Sequence, residues 1–183
     1  MFDLPILKSK KNLEKFWYAI YVRSKGEKKV LVELEYLGIK AYLPLITRLK
    51  QWSDRKKKVE EPLFRSYVFV HIHEAQFFTV KSVAGVVKYI SFEGKPAIIP
   101  DQQIEAIHYF LNEQDEHESM DAEKLEEGQL VRIKQGPMAG LIGRMIHYKN
   151  RYRLLVQIEA VGQVLSLDIP RAKVEPVAQN SAD

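Results

Sequence analysis

The sequence contains no cysteine. That absence excludes a disulfide framework, a cysteine-ligated zinc site and a thiol nucleophile, and it fits a reducing compartment. No apolar run approaches the roughly 20 residues that a membrane-spanning helix needs. The opening MFDLPILKSKKNLEK is not a signal peptide, because its basic residues follow a short apolar patch that contains Asp3 and Pro5. It reads as a flexible tail over 1–15 on a cytoplasmic protein that does not enter a membrane. Catalytic signatures are missing too. Gly136-Pro137-Met138-Ala139-Gly140 lacks the Lys-Ser/Thr ending of a phosphate-binding loop. His71 and His73 share one face of a strand, as a metal pair does, but no third ligand is apparent. No nucleophile has a plausible base. The expectation is a non-enzymatic protein with neither metal nor cofactor.

What is present is a foldable, unevenly charged chain. Hydrophobic residues make up 46% of the 183, enough for a packed core. The net charge of +4 hides three blocks: +7 over 1–112, −5 over 113–124 and +3 over 125–177. Two basic stretches around an acidic bridge predict two domains and a linker, and basic domains favour anionic partners, nucleic acid first.

Periodicity places the elements. Aromatic and β-branched residues in WYAIYV (17–22) predict a buried strand. Val30, Leu31, Leu34 and Leu37 recur at helical spacing, with Gly38 as the stop. KAYLPLITRLKQW (40–52) is extended and broken by Pro44, and SDRKKKVEE (53–61) reads as a charged hairpin tip. SYVFVHI (66–72) is the clearest central strand. AQFFTVKSV (75–83) reads as a short helix and VVKYISF (86–92) as a further strand, and Asp101 can cap a helix carrying Ile104, Ile107, Phe110 and Leu111. Mixed helices and short strands predict an α+β sandwich on an antiparallel sheet over 16–112. After the linker 113–124, evenly spaced strands at 130–134, 141–148, 151–160 and 164–169 with Gly/Pro turns predict a small β-barrel over 125–177, followed by a tail over 178–183.

In that order the pieces resemble the NusG family of transcription elongation factors. Trp17-Tyr18 is similar to the opening strand, Lys28-Lys29 before Val30 to the start of the first helix, and Pro44 to the proline after it. Phe64-Arg65-Ser66-Tyr67-Val68-Phe69-Val70 resembles the family's F-P-G-Y-V-x-V, and Val83-Ala84-Gly85-Val86 its V-x-G-V loop. Glu127 to Ile133 with Gly136-Pro137-Met138-Ala139-Gly140 resembles the KOW signature. The resemblance covers about 16–177 and implies an NGN domain, a linker and an SH3-like KOW barrel. Arg65-Ser66 in place of Pro-Gly is closer to the specialised RfaH- and UpxY-like antiterminators.

The resemblance also implies roles. Phe64, Tyr67 and Phe69, with Tyr21 and Pro44 as neighbours, would line an apolar groove for the clamp helices of the RNA polymerase β′ subunit. Gln76, Phe77, Phe78 and Thr79 fall where the RfaH-like branch meets the gate loop of the β subunit, although the threonine run of that branch is missing and core is the alternative place for Phe77 or Phe78. Lys25, Lys28 and Lys29 would face the non-template DNA strand, with a weaker candidate at Arg55–Lys58. Gly136, Pro137, Met138, Gly140 and Ile146 would shape or form a docking turn for a small-subunit ribosomal protein or the termination factor Rho. The RfaH branch can refold its KOW segment into a helical hairpin; here the strand pattern Val164/Ser166/Asp168 against Leu165/Leu167/Ile169 predicts the barrel. From residues alone, a KOW-containing RNA- or ribosome-binding monomer without a polymerase role stays as the second reading.

Overall fold

The computed structural model describes residues 14–51, 56–112, 128–148 and 151–177. The acidic bridge 113–124, the tail 178–183, Arg55 and most of the tail 1–15 lie outside the described residues. In chain order the elements are β1 (Phe16–Val22), α1 (Glu27–Tyr36), β2 (Lys40–Tyr42), β3 (Leu45–Gln51), β4 (Lys56–Pro62), β5 (Tyr67–Ile72), α2 (Phe77–Lys81), β6 (Val86–Tyr89), β7 (Ser91–Phe92), β8 (Lys95–Pro96), β9 (Ile98–Ile99) and α3 (Asp101–Asn112). They continue with β10 (Gln129–Ile133), β11 (Ile142–Tyr148), β12 (Arg151–Ile158), β13 (Gln163–Leu167) and β14 (Val174–Pro176). The chain forms two compact units, Met1–Leu43 with Arg65–Ile98, and Pro44–Phe64 with Ile99–Asp183.

In the first unit the strands run β2-β5-β1-β6, all antiparallel. Ile20, Val22, Val68, Val70 and Ile72 are buried on one face, as the alternation of side chains along paired strands requires. α1 lies against β2 and β5 and buries Val30 and Leu34. Tyr18, Phe77 and Tyr89 form an aromatic cluster with centroids 5.0 to 6.4 Å apart. The Tyr89 hydroxyl donates to the Phe77 carbonyl at 3.2 Å. Burial pushes the Tyr89 phenol well above its ordinary value, and neighbouring Tyr18 adds to the rise.

The end of α1 is set by Gly38 at φ +70°, as its position in the sequence predicts. Gly38 N–H donates to Glu35 O at 2.9 Å and Ile39 N–H to Leu34 O at 3.0 Å, a Schellman arrangement that satisfies two otherwise orphaned carbonyls. The start of α1 is tied more widely. Glu27, in its first turn, is buried, and its Oε1 accepts from the Ser66 N–H at 2.8 Å. The Ser66 carbonyl accepts from the Val22 N–H, also at 2.8 Å. Ser66 therefore joins the end of β1, the start of β5 and the start of α1. It does so at φ +66°, a left-handed conformation that a serine rarely takes. The family pattern has glycine here, a residue that takes this conformation without the steric cost that serine bears.

In the second unit β3 and β4 make a two-stranded ribbon, from Leu45 opposite Pro62 to Gln51 opposite Lys56. The segment expected to be a charged tip is thus mostly strand. The ribbon buries Ile46, while Lys56, Lys57 and Lys58 pair in it and stay exposed. β10 to β14 form an antiparallel sheet in the order β13-β12-β11-β10-β14. α3 packs on β13, and the Tyr109 hydroxyl donates to the Asp168 carbonyl at 2.8 Å. Ser166, on the face of β13 opposite Leu165 and Leu167, is buried too, and its Oγ has no hydrogen-bond partner among the described residues. A helix packed on that strand leaves neither of its faces to water.

Glu27→Ala leaves the buried Ser66 N–H unpaired and should destabilise the protein by about 1–3 kcal/mol, read as a lower urea midpoint. Ser66→Gly should shift the midpoint the other way. It relieves roughly 1–2 kcal/mol of left-handed strain, offset in part by about 0.4–1 kcal/mol of added freedom in the unfolded chain.

Candidate functional site

β1 and β5 present an aromatic face whose two ends differ. Trp17, Ala19 and Tyr21 stand opposite His71, Phe69 and Tyr67. At one end the Trp17 ring meets His71 at 4.9 Å and Tyr42 at 6.4 Å, and Tyr42 meets Phe69 at 6.3 Å. The Lys40 ammonium sits 5.3 Å from the Trp17 ring centre, a cation–π contact that shields this nearly buried ring. At the other end Tyr21 and Tyr67 meet edge to face, 5.6 Å apart at 79°. Tyr21 is 37% exposed and Tyr67 half-buried. Two rings that brace each other, each with a hydroxyl edge near water, make a preorganised anchor for an apolar or helical partner.

Two residues expected to line this groove do not reach the surface. Phe69 is 0% exposed and Phe64 3%. Alternation correctly places Phe69 on the same face as Tyr67, but it carries no information on whether that face is covered at a given position. Pro44 is buried as well, its carbonyl accepting from the Leu63 N–H at 2.8 Å. Of the expected set, Tyr21 and Tyr67 alone are brought together with accessible surface. Gln76 is half-buried, with its Oε1 accepting from the His73 N–H at 3.4 Å, while Thr79 is exposed. Next to them Phe78 is 82% exposed, so of the two phenylalanines expected either at this contact or in the core it is Phe78 that stays on the surface. Phe77 takes the core position in its place.

The basic turn between β1 and α1 stands beside the tyrosine end. Lys25 is exposed at φ +62°, and Lys28 and Lys29 are exposed on the first turn of α1. The turn is held by Gly26 N–H to Arg23 O and by Arg23 N–H to Gly85 O, both 2.9 Å. Gly85 has φ +102°, and a Cβ there would meet the Val30 side chain at 3.0 Å, which explains glycine in the V-x-G-V loop. Further along α1, Tyr36 is 86% exposed and Val32 is open to solvent. A fixed cationic turn followed by an exposed ring is suited to phosphates and an unpaired base.

In the C-terminal sheet Gly136 and Gly140, at φ +90° and +88°, shape the turn between β10 and β11. The turn folds back on the strand ends, with Gly140 N–H to Ile133 O at 2.9 Å and Ile133 N–H to Leu141 O at 3.0 Å. Pro137 is exposed, but Met138, expected at the tip as an apolar contact, is 8% exposed and belongs to the core. The inward turn of the chain at Gly136 accounts for this. Ile146 is half-buried and lines an open cavity with Met145, His147, Tyr152 and Arg171. Sequence reasoning missed that cavity, because its residues are scattered over 128–176 and converge only through strand pairing.

Comparison with known proteins gives the family from the sequence. Residues 15–108, just over half of the chain, match the family described as "Transcription termination factor nusG". The transcription termination/antitermination protein NusG of Staphylococcus carnosus is 23% identical over 177 residues, covering 88% of this chain and 95% of that protein. Its counterpart in Rickettsia typhi is 24% identical, covering 90% and 91%. A solved structure described as "Domain interaction in Thermotoga maritima NusG" aligns over 90% of this chain and 98% of its own, at a TM-score of 0.46 and 23% identity. With its signature residues on the sheet and turns where the motifs put them, this chain belongs to the NusG family of transcription factors.

Proposed function

We propose that this protein is a transcription elongation and antitermination factor that acts without catalysis, by binding RNA polymerase through its N-terminal sheet. The observation that carries the reading is the Tyr21–Tyr67 pair, an accessible edge-to-face aromatic couple at the end of an otherwise buried aromatic face. Its natural complement is a helix that seats apolar side chains against the two rings, as the clamp helices of the β′ subunit would. Phe78 and Thr79, exposed on α2, supply a second contact suited to the β gate loop. Binding both sides of the cleft would hold the polymerase clamp shut and suppress pausing.

Lys25, Lys28 and Lys29 would meet the displaced non-template strand, with Tyr36 available as a stacking surface. The turn at Gly136, Pro137 and Gly140, together with Ile146, would recruit a further factor, a small-subunit ribosomal protein or Rho. Arg65 is exposed beside the left-handed Ser66. Ser66 takes a left-handed backbone of the kind glycine adopts freely, so Arg65 is the new chemistry at this place. It supports a specialised factor that accepts chosen transcription complexes. Among the described residues no helix is long and apolar enough to cross a membrane.

Tyr67→Ala and Tyr21→Ala should each weaken capture of purified RNA polymerase about tenfold or more while leaving the far-UV circular dichroism unchanged. Phe69→Ala, by contrast, should destabilise the fold. Full retention of binding in both tyrosine variants would sink the groove and favour an RNA- or ribosome-binding role without polymerase. Lys28→Ala/Lys29→Ala should lower the salt dependence of binding to paused complexes, by about 1.4 in the log–log slope for two lost single-strand phosphate contacts. In a purified transcription assay the intact protein should increase read-through at terminators, and a rise in termination would point to the opposite activity.

A further inference from the structure

The C-terminal sheet holds a second cationic–aromatic feature, which shares only Ile146 with the residues assigned above. It is an open cavity of ≈ 420 Å³ lined by Gly128, Gln129, Val131, Met145, Ile146, His147, Tyr152, Arg171, Val174 and Pro176. β11 and β12 put His147 directly opposite Tyr152, and their rings meet edge to face at 5.2 Å. The Arg171 guanidinium lies over the Tyr152 ring, 5.3 Å from its centre, and donates to its hydroxyl at 3.3 Å. Three planar groups thus meet at one place, and Tyr152, His147 and Arg171 are all exposed.

We infer that this cavity is a binding platform for single-stranded nucleic acid, with an unstacked base on the Tyr152–His147 surface and backbone phosphate on Arg171. Three observations favour that occupant. Among the described residues, none of the ten that line the cavity is a carboxylate. Glu175 sits between Val174 and Pro176 on β14, so alternation turns it to the opposite face, beside Arg132, its partner across the strands. Across the described part of this region, 128–148 and 151–177, Lys and Arg outnumber Asp and Glu by seven to three, and Arg144 is anchored at the rim by its bond to the Gly128 carbonyl, 3.2 Å. Cations alone would suit an acidic peptide equally well. The contacting π-faces decide the matter, because a base offers the matching flat surface and a run of carboxylates does not. A duplex keeps its bases stacked, so the surface selects single strands, and a platform on β11 and β12 would let the C-terminal part hold a transcript or a DNA strand independently of Lys25, Lys28 and Lys29.

The test is fluorescence anisotropy of the full chain with a labelled mixed-sequence RNA oligonucleotide and with its DNA counterpart. Both are run in a Lys28→Ala/Lys29→Ala background, so that the N-terminal basic turn does not contribute. Tyr152→Ala should weaken binding about tenfold, and Tyr152→Phe should retain it within about twofold, since the ring and not the hydroxyl is stacked. Arg171→Ala should lower the log–log salt slope by about 0.7, one single-strand phosphate contact. Tighter binding of RNA would identify a transcript as the ligand, and equal binding of RNA and DNA would support recognition of base and phosphate alone. Failure of both oligonucleotides to bind, or binding indifferent to Tyr152→Ala and Arg171→Ala in correctly folded variants, would overturn the assignment and leave the cavity to a protein partner. Loss of polymerase capture in the tyrosine variants of β1 and β5 bears on the other site only, so the two readings fail separately.

Discussion

One buried carboxylate organises the N-terminal sheet. Glu27 accepts from the Ser66 N–H, and Ser66 in turn accepts from Val22. Those two bonds, each 2.8 Å, bring together the end of β1, the start of β5 and the first turn of α1. A carboxylate at the start of a helix also meets the positive end of the helix dipole, so the same group serves both the helix and the loop. The candidate surfaces inherit their positions from this knot. Tyr67 follows Ser66 directly, Tyr21 precedes Val22, and Lys28 and Lys29 follow Glu27. The aromatic couple and the basic turn are therefore placed by backbone geometry that neither of them creates.

The left-handed Ser66 gives the Arg65-Ser66 replacement a physical meaning. The position requires a positive φ because its N–H and C=O must point to partners on different elements. Glycine meets that requirement without cost, whereas serine meets it under strain that the two hydrogen bonds must offset. The fold thus tolerates the loss of glycine, and the visible consequence of the change is an exposed guanidinium beside the tyrosines. A substitution that looks structural in the motif proves to alter surface charge.

The two halves use one chemical theme in different settings. In the N-terminal sheet a lysine caps the nearly buried Trp17 and leaves the tyrosines open. In the C-terminal sheet an arginine braces Tyr152 at the edge of a cavity. Each time the cation orients an aromatic ring, but only where the ring keeps its face accessible does it become a surface for recognition. Met138 marks the contrast. Its place in the turn motif made it look like a docking tip, yet the glycines on either side let the chain fold inward and take it into the core.

Local chemistry was legible in the sequence because it depends on near neighbours. Helical spacing located α1, glycine at 38 ended it, period-two alternation identified β5, and the ordered motifs led to the family. The same alternation paired Val68 with Val70 and Tyr67 with Phe69, and that much held. Which aromatic residues stay in contact with water was a tertiary outcome. Phe64 and Phe69 vanished from the surface while Tyr21 and Phe78 remained on it, and Ser166 was buried because α3 packs on β13. The Glu27–Ser66 bond spans 39 residues and the Arg171–Tyr152 contact 19, separations at which periodicity carries no signal. The sequence by itself determined the elements, their faces and the family, because these follow from spacing along the chain; only the tertiary structure decided exposure and long-range partnership, because both depend on which distant segments come to lie against each other.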